Sequence, residues 1–454
     1  LQKVDLLIAG GTLVTMDAAG TIIPDGALAI AGGQIAALGP EAEVRAICEA
    51  REVINAREQY ILPGLINSHT HLFQTLLKGL GADTPLQTWI AQLINPVIPL
   101  LKAEDCYYAA QLGILEAIRS GTTTLLDFMY LTYRPEFSEA VIAAAKDAGV
   151  RFLYGRGIHD TGLGRDVPPL LVEDVDHVLE EVDYLRGRYE DKSDGMLAIW
   201  LAPSIMWGMS YDGLRSLAAY ALENRVPVTM HLMETDYDIE ICLADYGQRP
   251  LEVLAATGML ANRFLLVHGV RANDRDLQIM ADYRVAWSHC MAANLYLGSG
   301  IAPVTQAAPA VAVALATDGA ASNNSQNMIE LLKLTALAHK GFRRDPAIID
   351  ARRVAAMATC EGARAVGLDK EIGVLAPGYR ADLIIIDPYS PTTTPVHDPL
   401  ATLVYSCDQE NIATVVINGR VVMQDRQVIT IDEEKVLRKA AAIARRLQGE
   451  LSCQ

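Results

Sequence analysis

The chain lacks several things, and each shortage removes a class of function. No apolar run approaches the roughly 18 residues that a membrane-spanning helix needs. The opening Leu1-Gln2-Lys3-Val4-Asp5 has neither the apolar core nor the small-residue cleavage site of a secretory leader, so a cytoplasmic protein is expected. Positive charge is in deficit: 38 Lys and Arg stand against 55 Asp and Glu, a net charge of −17. Such a surface gives no counter-charge to a nucleic-acid polymer or an anionic membrane, and neither is expected as a partner. A small neutral base is not excluded. The seven cysteines are scattered, odd in number and form no Cys-x-x-Cys, so they read as reduced thiols and not as a disulfide frame or zinc ribbon. Internal repeats and low-complexity tracts are also absent. What remains is 454 residues, 51% hydrophobic and 20% charged, enough for a large core and two or three domains.

The first 60 residues read as short strands broken by Gly turns. From residue 61 the pattern becomes apolar strand, polar loop, amphipathic helix, repeated. Eight strands are predicted: Leu65–His69, Thr122–Phe128, Val150–Arg156, Met196–Ala202, Pro227–Leu232, Phe264–His268, Val285–His289 and Val311–Thr317. Helical segments such as Glu104–Ser120, Pro135–Ala148, Val172–Tyr189, Tyr211–Glu223 and Gln326–His339 separate most of them. That count and spacing predict an α/β chain built on a (β/α)₈ TIM-like barrel, with its active site at the C-terminal strand ends. After a last helix, Asp350–Val366, strands return at Ala381–Ile386, Thr414–Ile417 and Val421–Asp425, with a hairpin signal at Asn418-Gly419. Neither terminal piece has enough strands for its own core. The expected organisation is therefore 1–60 and 372–430 as the two parts of one small β-sandwich domain, 61–371 as the barrel, and 431–454 as a C-terminal helix.

His69-Thr70-His71 follows the first barrel strand. Side chains two apart on a strand point the same way, so both imidazoles can reach one metal ion. His231 with Glu234, His268 and Asp318 each follow a later apolar run, at the ends of strands 5, 6 and 8. Neutral imidazoles plus one carboxylate suit Zn²⁺ or another first-row divalent ion such as Fe²⁺.

Taken together, Leu62-Pro63-Gly64-Leu65-Ile66-Asn67-Ser68-His69-Thr70-His71, Met230-His231-Leu232-Met233-Glu234, Val267-His268-Gly269 and Thr317-Asp318-Gly319-Ala320-Ala321-Ser322-Asn323 resemble the amidohydrolase superfamily, in its mononuclear aminohydrolase branch. Tyr296–Val304 and Gln326–Ile329 look most like the atrazine chlorohydrolase and melamine deaminase group, with guanine, 8-oxoguanine and S-adenosylhomocysteine deaminases more distant. Gly319 stands where the triazine enzymes carry Asn or Asp, which argues against chloride release. Gln74 stands where the S-adenosylhomocysteine enzymes carry Met. Their His at the end of strand 4 is missing from Ala202-Pro203-Ser204-Ile205-Met206-Trp207.

The resemblance implies a hydrolytic deaminase acting on an exocyclic amine of a purine, pterin or s-triazine ring. His69, His71, His231 and Asp318 would hold one divalent metal, which lowers the pKa of a bound water toward neutrality. The two-metal members' bridging lysine has no counterpart near strand 4. Glu234 would protonate the ring nitrogen, His268 would hydrogen-bond the attacking water, and Asp318 would accept its proton. Gln74, Trp89, Ser322 and Asn294 are the expected contacts to a small heterocyclic substrate. Relatives suggest a homodimer or larger homo-oligomer. Two rivals stand beside this reading: the same machinery releasing chloride or an alkylamine, and a non-catalytic barrel. Loss of a ligand or of the acid would mark the latter, and neither is lost. His289 and His159 read equally well as pocket or core residues, whereas His177, His339 and His397 read as structural.

Overall fold

A computed structural model describes residues 1–162, 164–190 and 193–452. The N-terminal part forms β1 (Gln2–Val14), β2 (Ile22–Ala31), β3 (Gln34–Pro40), β4 (Cys48–Asn55) and β5 (Tyr60–Pro63). β2 lies antiparallel between β1 and β3, while β4 and β5 run parallel to successive stretches of the long β1. Eight parallel strands follow: β6 (Leu65–Thr70), β7 (Thr122–Met129), β8 (Arg151–Ile158), β9 (Leu197–Pro203), β10 (Val228–Leu232), β11 (Phe264–His268), β12 (Ala286–His289) and β13 (Val313–Leu315). They pair in chain order from β6 to β13. Every residue of β6, β7 and β8 is buried, as expected for parallel strands covered on one face by helices and filling the barrel with the other.

The sheet closes into a barrel at the seam between β13 and β6. The Ser68 hydroxyl donates to the Leu315 carbonyl at 2.9 Å, and the Thr317 N–H donates to Asn67 Oδ1 at 3.1 Å. Next to them the Asp318 N–H donates to the His69 carbonyl at 3.1 Å. β13 is shorter than the predicted Val311–Thr317, because its last residues bond to β6 side chains instead of continuing a ladder.

The C-terminal strands are β14 (Leu383–Ile386), β15 (Ile412–Ile417), β16 (Arg420–Gln424) and β17 (Gln427–Val428). β14 pairs antiparallel with β5, so both ends of the chain build one mixed nine-stranded sheet. Asn418 and Gly419, at φ 49° and 77°, make the tight turn between β15 and β16 that an Asn-Gly pair favours. Leu6, Ile8, Leu28, Ile30, Leu383 and Ile385 fill one core of this sheet. Gly64 alone separates β5 from β6, and a Cβ there would lie 2.2 Å from the Thr123 side chain. Its N–H donates to the Asp382 carbonyl at 3.0 Å. The Asp382 carboxylate in turn receives the fully buried Arg151 guanidinium in a two-bond fork, at 2.7 and 3.0 Å.

The predicted helix Asp350–Val366 is two helices, Ala351–Met357 and Cys360–Val366. It breaks because the Ala358 carbonyl turns to accept the Ile66 N–H of β6 at 2.8 Å. Gln326–His339 begins later than expected, at Met328, with Asn327 as its cap in place of Ser322 or Asn323. The last helix, Glu433–Leu451, buries Val436, Ala440, Ile443 and Leu447, a stripe at helical spacing. Among the described residues no helix is long and apolar enough to cross a membrane.

Candidate active site

The strand-end histidines and acids converge at the C-terminal mouth of the barrel. His69 is in the last turn of β6 and His71 directly follows it. The two rings stand 4.6 Å apart, centre to centre, and His231 on β10 is 4.8 Å from His69. Asp318 Oδ1 lies 3.3 Å from the Nε2 atoms of both His69 and His71.

Outer hydrogen bonds fix the tautomers. A carbonyl only accepts, so His71 Nδ1–H donates to Phe128 O at 2.6 Å and His231 Nδ1–H donates to Ser204 O at 2.8 Å. Both Nε2 atoms therefore turn lone pairs inward, and they approach to 3.2 Å. Two facing lone pairs at that distance repel unless a cation lies between them. His69 is fully buried, and neither of its ring nitrogens makes a hydrogen bond. Burial also lowers the pKa of His69, His71 and His231, His71 to about 3, which keeps them neutral and able to ligate. Burial works to raise the Asp318 pKa, but the surrounding imidazoles outweigh it and hold the carboxyl below its usual range. Three neutral imidazoles and an ionised carboxylate, buried and short of partners, fit a first-row divalent ion.

Glu234 stands beside this cluster. Its Oε1 accepts from the Ser299 hydroxyl at 3.1 Å, and its Oε2 is 3.5 Å from His268 Nε2. Burial raises its pKa to about 7 against the opposing pull of His268. His268 Nδ1–H donates to Asn294 Oδ1 at 2.9 Å. Burial works to lower the His268 pKa, but the Glu234 carboxylate, helped by Cys290, raises it overall. The backbone is left-handed at Met233, His268 and Asp318, with φ of 53°, 70° and 62°. Each such non-glycine residue costs about 1–3 kcal/mol, and here all three sit where a strand hands its side chain to the mouth.

A pocket opens on this cluster, lined on one side by His71, His231, His268, Glu234 and Asp318. Its walls include Leu86, Trp89, Ile90, Ile94 and Ile98 from one segment, Val167 and Leu171 from another, and Trp207.

Residues 60–422 match the amidohydrolase family. The chain is an amidohydrolase. Curated relatives include the 5-methylthioadenosine/S-adenosylhomocysteine deaminases of Pelotomaculum thermopropionicum and Syntrophobacter fumaroxidans. Each is 36% identical to this amidohydrolase, over 98% of this chain and 99% of its own length. Among solved structures, an adenosine deaminase from Xanthomonas campestris with bound zinc superposes with a TM-score of 0.91 at 28% identity, covering 100% of both chains. The zinc complex of atrazine chlorohydrolase from Arthrobacter aurescens gives 0.90 at 26% identity, covering 97% of this chain and 100% of that one.

The expected substrate contacts of this amidohydrolase divide in two. Gln74 and Trp89 line the pocket. The Gln74 amide donates to the Tyr130 hydroxyl at 2.9 Å, leaving its buried Oε1 without a partner. A Cβ on Gly319 would meet that oxygen at 1.9 Å, so glycine makes the room that Gln74 occupies. Trp89 is held by a 3.2 Å bond from Nε1–H to the Ala321 carbonyl. Ser322 also reaches the pocket, but its hydroxyl is committed to Asp318 Oδ2 and the Gly319 carbonyl, both at 3.0 Å. Asn294 does not line the pocket; it sits behind His268 and orients it. His159 lines the pocket, whereas His289 is turned away, its Nε2 3.1 Å from His339 Nε2. Sequence reasoning missed Ser299, Trp207 and the wall from residue 86 onward. Only the wall left a signal, in Leu86, Ile90, Ile94 and Ile98 spaced by four.

Proposed function

We propose that this amidohydrolase is a metal-dependent aminohydrolase that releases ammonia from an exocyclic amine on a purine, pterin or s-triazine ring. The observation that carries the reading is Glu234: buried, bonded to no Lys or Arg, opening on the pocket beside the ligand cluster, with its pKa raised to about 7. A carboxyl poised at neutrality can give a proton to a ring nitrogen and take one back for the departing amine.

His69, His71, His231 and Asp318 would hold one divalent ion, Zn²⁺ or Fe²⁺, which supplies an acidified water and a local positive charge. His268, its Nδ1–H fixed on Asn294, presents Nε2 beside Glu234 and would hydrogen-bond the attacking water. Asp318, steadied by Ser322, would take that water's proton. Gln74 offers an unpartnered acceptor to a ring-edge N–H, and Trp89 a flat face beside the ring. A second reading, deamination of a purine nucleoside such as 5-methylthioadenosine, is favoured by the relatives of that name at 36% identity. It uses the same residues for the same chemistry.

The deciding experiment measures ammonia and chloride release by zinc-replete enzyme. The panel is guanine, 8-oxoguanine, isoxanthopterin, melamine, adenosine, 5′-methylthioadenosine and atrazine. Ammonia from one or more of the aminated rings, lost with chelator and restored by Zn²⁺, is the expected result. Chloride from atrazine without any ammonia would replace the deaminase reading with a dechlorinating one.

A further inference from the structure

The pocket beside Glu234 carries more chemical information than the reaction uses. Leu86, Ile90, Ile94 and Ile98 present one apolar strip along the segment 86–98, and Val167 and Leu171 add to the apolar wall from the loop after β8. The charged groups on the lining are all acids: Asp166, Glu234, Asp238 and Asp318. Among the described residues no Lys or Arg lines it. Two arginines come near in sequence, and both are committed elsewhere. Arg165, beside Asp166, is paired with Asp245. Arg271 is held by Asp236 at 2.9 Å and by the Ser299 carbonyl at 2.9 Å. His159 is the remaining basic group outside the ligand cluster and Glu234's partner His268, and burial lowers its pKa to about 4, so it is neutral.

A carboxylate or phosphate entering this cavity loses water without gaining a counter-ion, and it meets like charge as well. A thioether, alkyl or other uncharged group loses nothing and buries apolar surface. We infer that the site takes a planar aminated heterocycle whose ring substituent is apolar and uncharged, and that it discriminates against the same ring bearing a carboxylate. Of the two substrates in the relatives' name, the thioether nucleoside fits this wall and the amino-acid-bearing one does not. This rests on the aminohydrolase reading for its substrate ring, although the charge selection is a property of the cavity alone.

Two matched pairs test it: 5′-methylthioadenosine against S-adenosylhomocysteine, and N-butylmelamine against N-(3-carboxypropyl)melamine. Binding is followed by quenching of Trp89 and Trp207, both on the lining, in zinc-loaded Glu234→Gln enzyme. Turnover is followed by ammonia release from the zinc-loaded wild type. In at least one pair the neutral member should bind, and where turned over should show a higher kcat/KM, by about 30-fold, the scale of one unpaired buried charge. Asp166→Arg should narrow that ratio by drawing in the carboxylate. Members of a pair binding within about threefold of each other would overturn the inference, and so would the absence of quenching by all four. Charge-selective quenching with no ammonia from any of them would keep the cavity inference and count against the aminohydrolase reading on these rings.

Discussion

Replacing Glu234 by Gln keeps the side chain's shape and its bond from Ser299 but removes the group whose pKa lies near 7. The expected result is a fall in kcat of about 10²–10⁴-fold, with zinc content by mass spectrometry unchanged. Loss of zinc in that variant would instead make Glu234 part of the metal's coordination. At this scale much of the site was legible. His69-x-His71, His231-x-x-Glu234, His268 and Asp318 could be found because each follows an apolar strand, and barrel topology gathers strand ends. What the chain order did not reveal was which polar neighbours face inward. Asn294 and Ser322 look like ligand-binding residues in sequence, yet they spend their polar atoms on His268 and Asp318. The left-handed backbone at His268 and Asp318 was equally hidden, since the usual marker of positive φ is glycine and neither position has one.

Among the elements, the strands were easier to read than the segment that covers them. Parallel strands buried on both faces are long apolar runs with little ambiguity. The stretch from Leu86 to Leu100 mixes α, π and 3-10 turns around Pro96 and Pro99, so no single helical period marks it. A clearer test belongs to the helix Met328–Arg343, which meets β12 through His339 and His289. Burial, reinforced by Arg343, lowers the His339 pKa from 6.5 to about 4. In that window the unfolded chain binds the proton and the folded one does not, so stability rises with pH. The contribution is complete above about pH 6.5 and is lost as the pH falls toward 4, by about 2–3 kcal/mol. Urea unfolding between pH 4.5 and 7 should show a shallower pH slope in His339→Leu than in the wild type. Equal slopes would mean that the imidazole pair is protonated in the folded state.

At the scale of the molecule, the barrel and the terminal sheet are joined by one residue of chain at Gly64 and by a buried fork from Arg151 to Asp382. Arg151→Ala would leave the Asp382 carboxylate buried without its partner, at a cost of about 3–5 kcal/mol. Denaturant unfolding followed by both far-ultraviolet dichroism and tryptophan emission should then shift together, as one transition. Two separated transitions would show that sheet and barrel unfold independently. The interruption of the sheet also sets a timetable for making the protein. β1 covers one edge of β5, but the other edge waits for β14, which begins at Leu383. A ribosome adding about 5–20 residues per second keeps that edge unpaired for tens of seconds while the whole barrel is synthesised. An open strand edge is the surface on which neighbouring chains pair. Nascent chains are therefore most exposed to one another just before the last strands arrive, and faster passage through the final codons should improve the yield of folded enzyme.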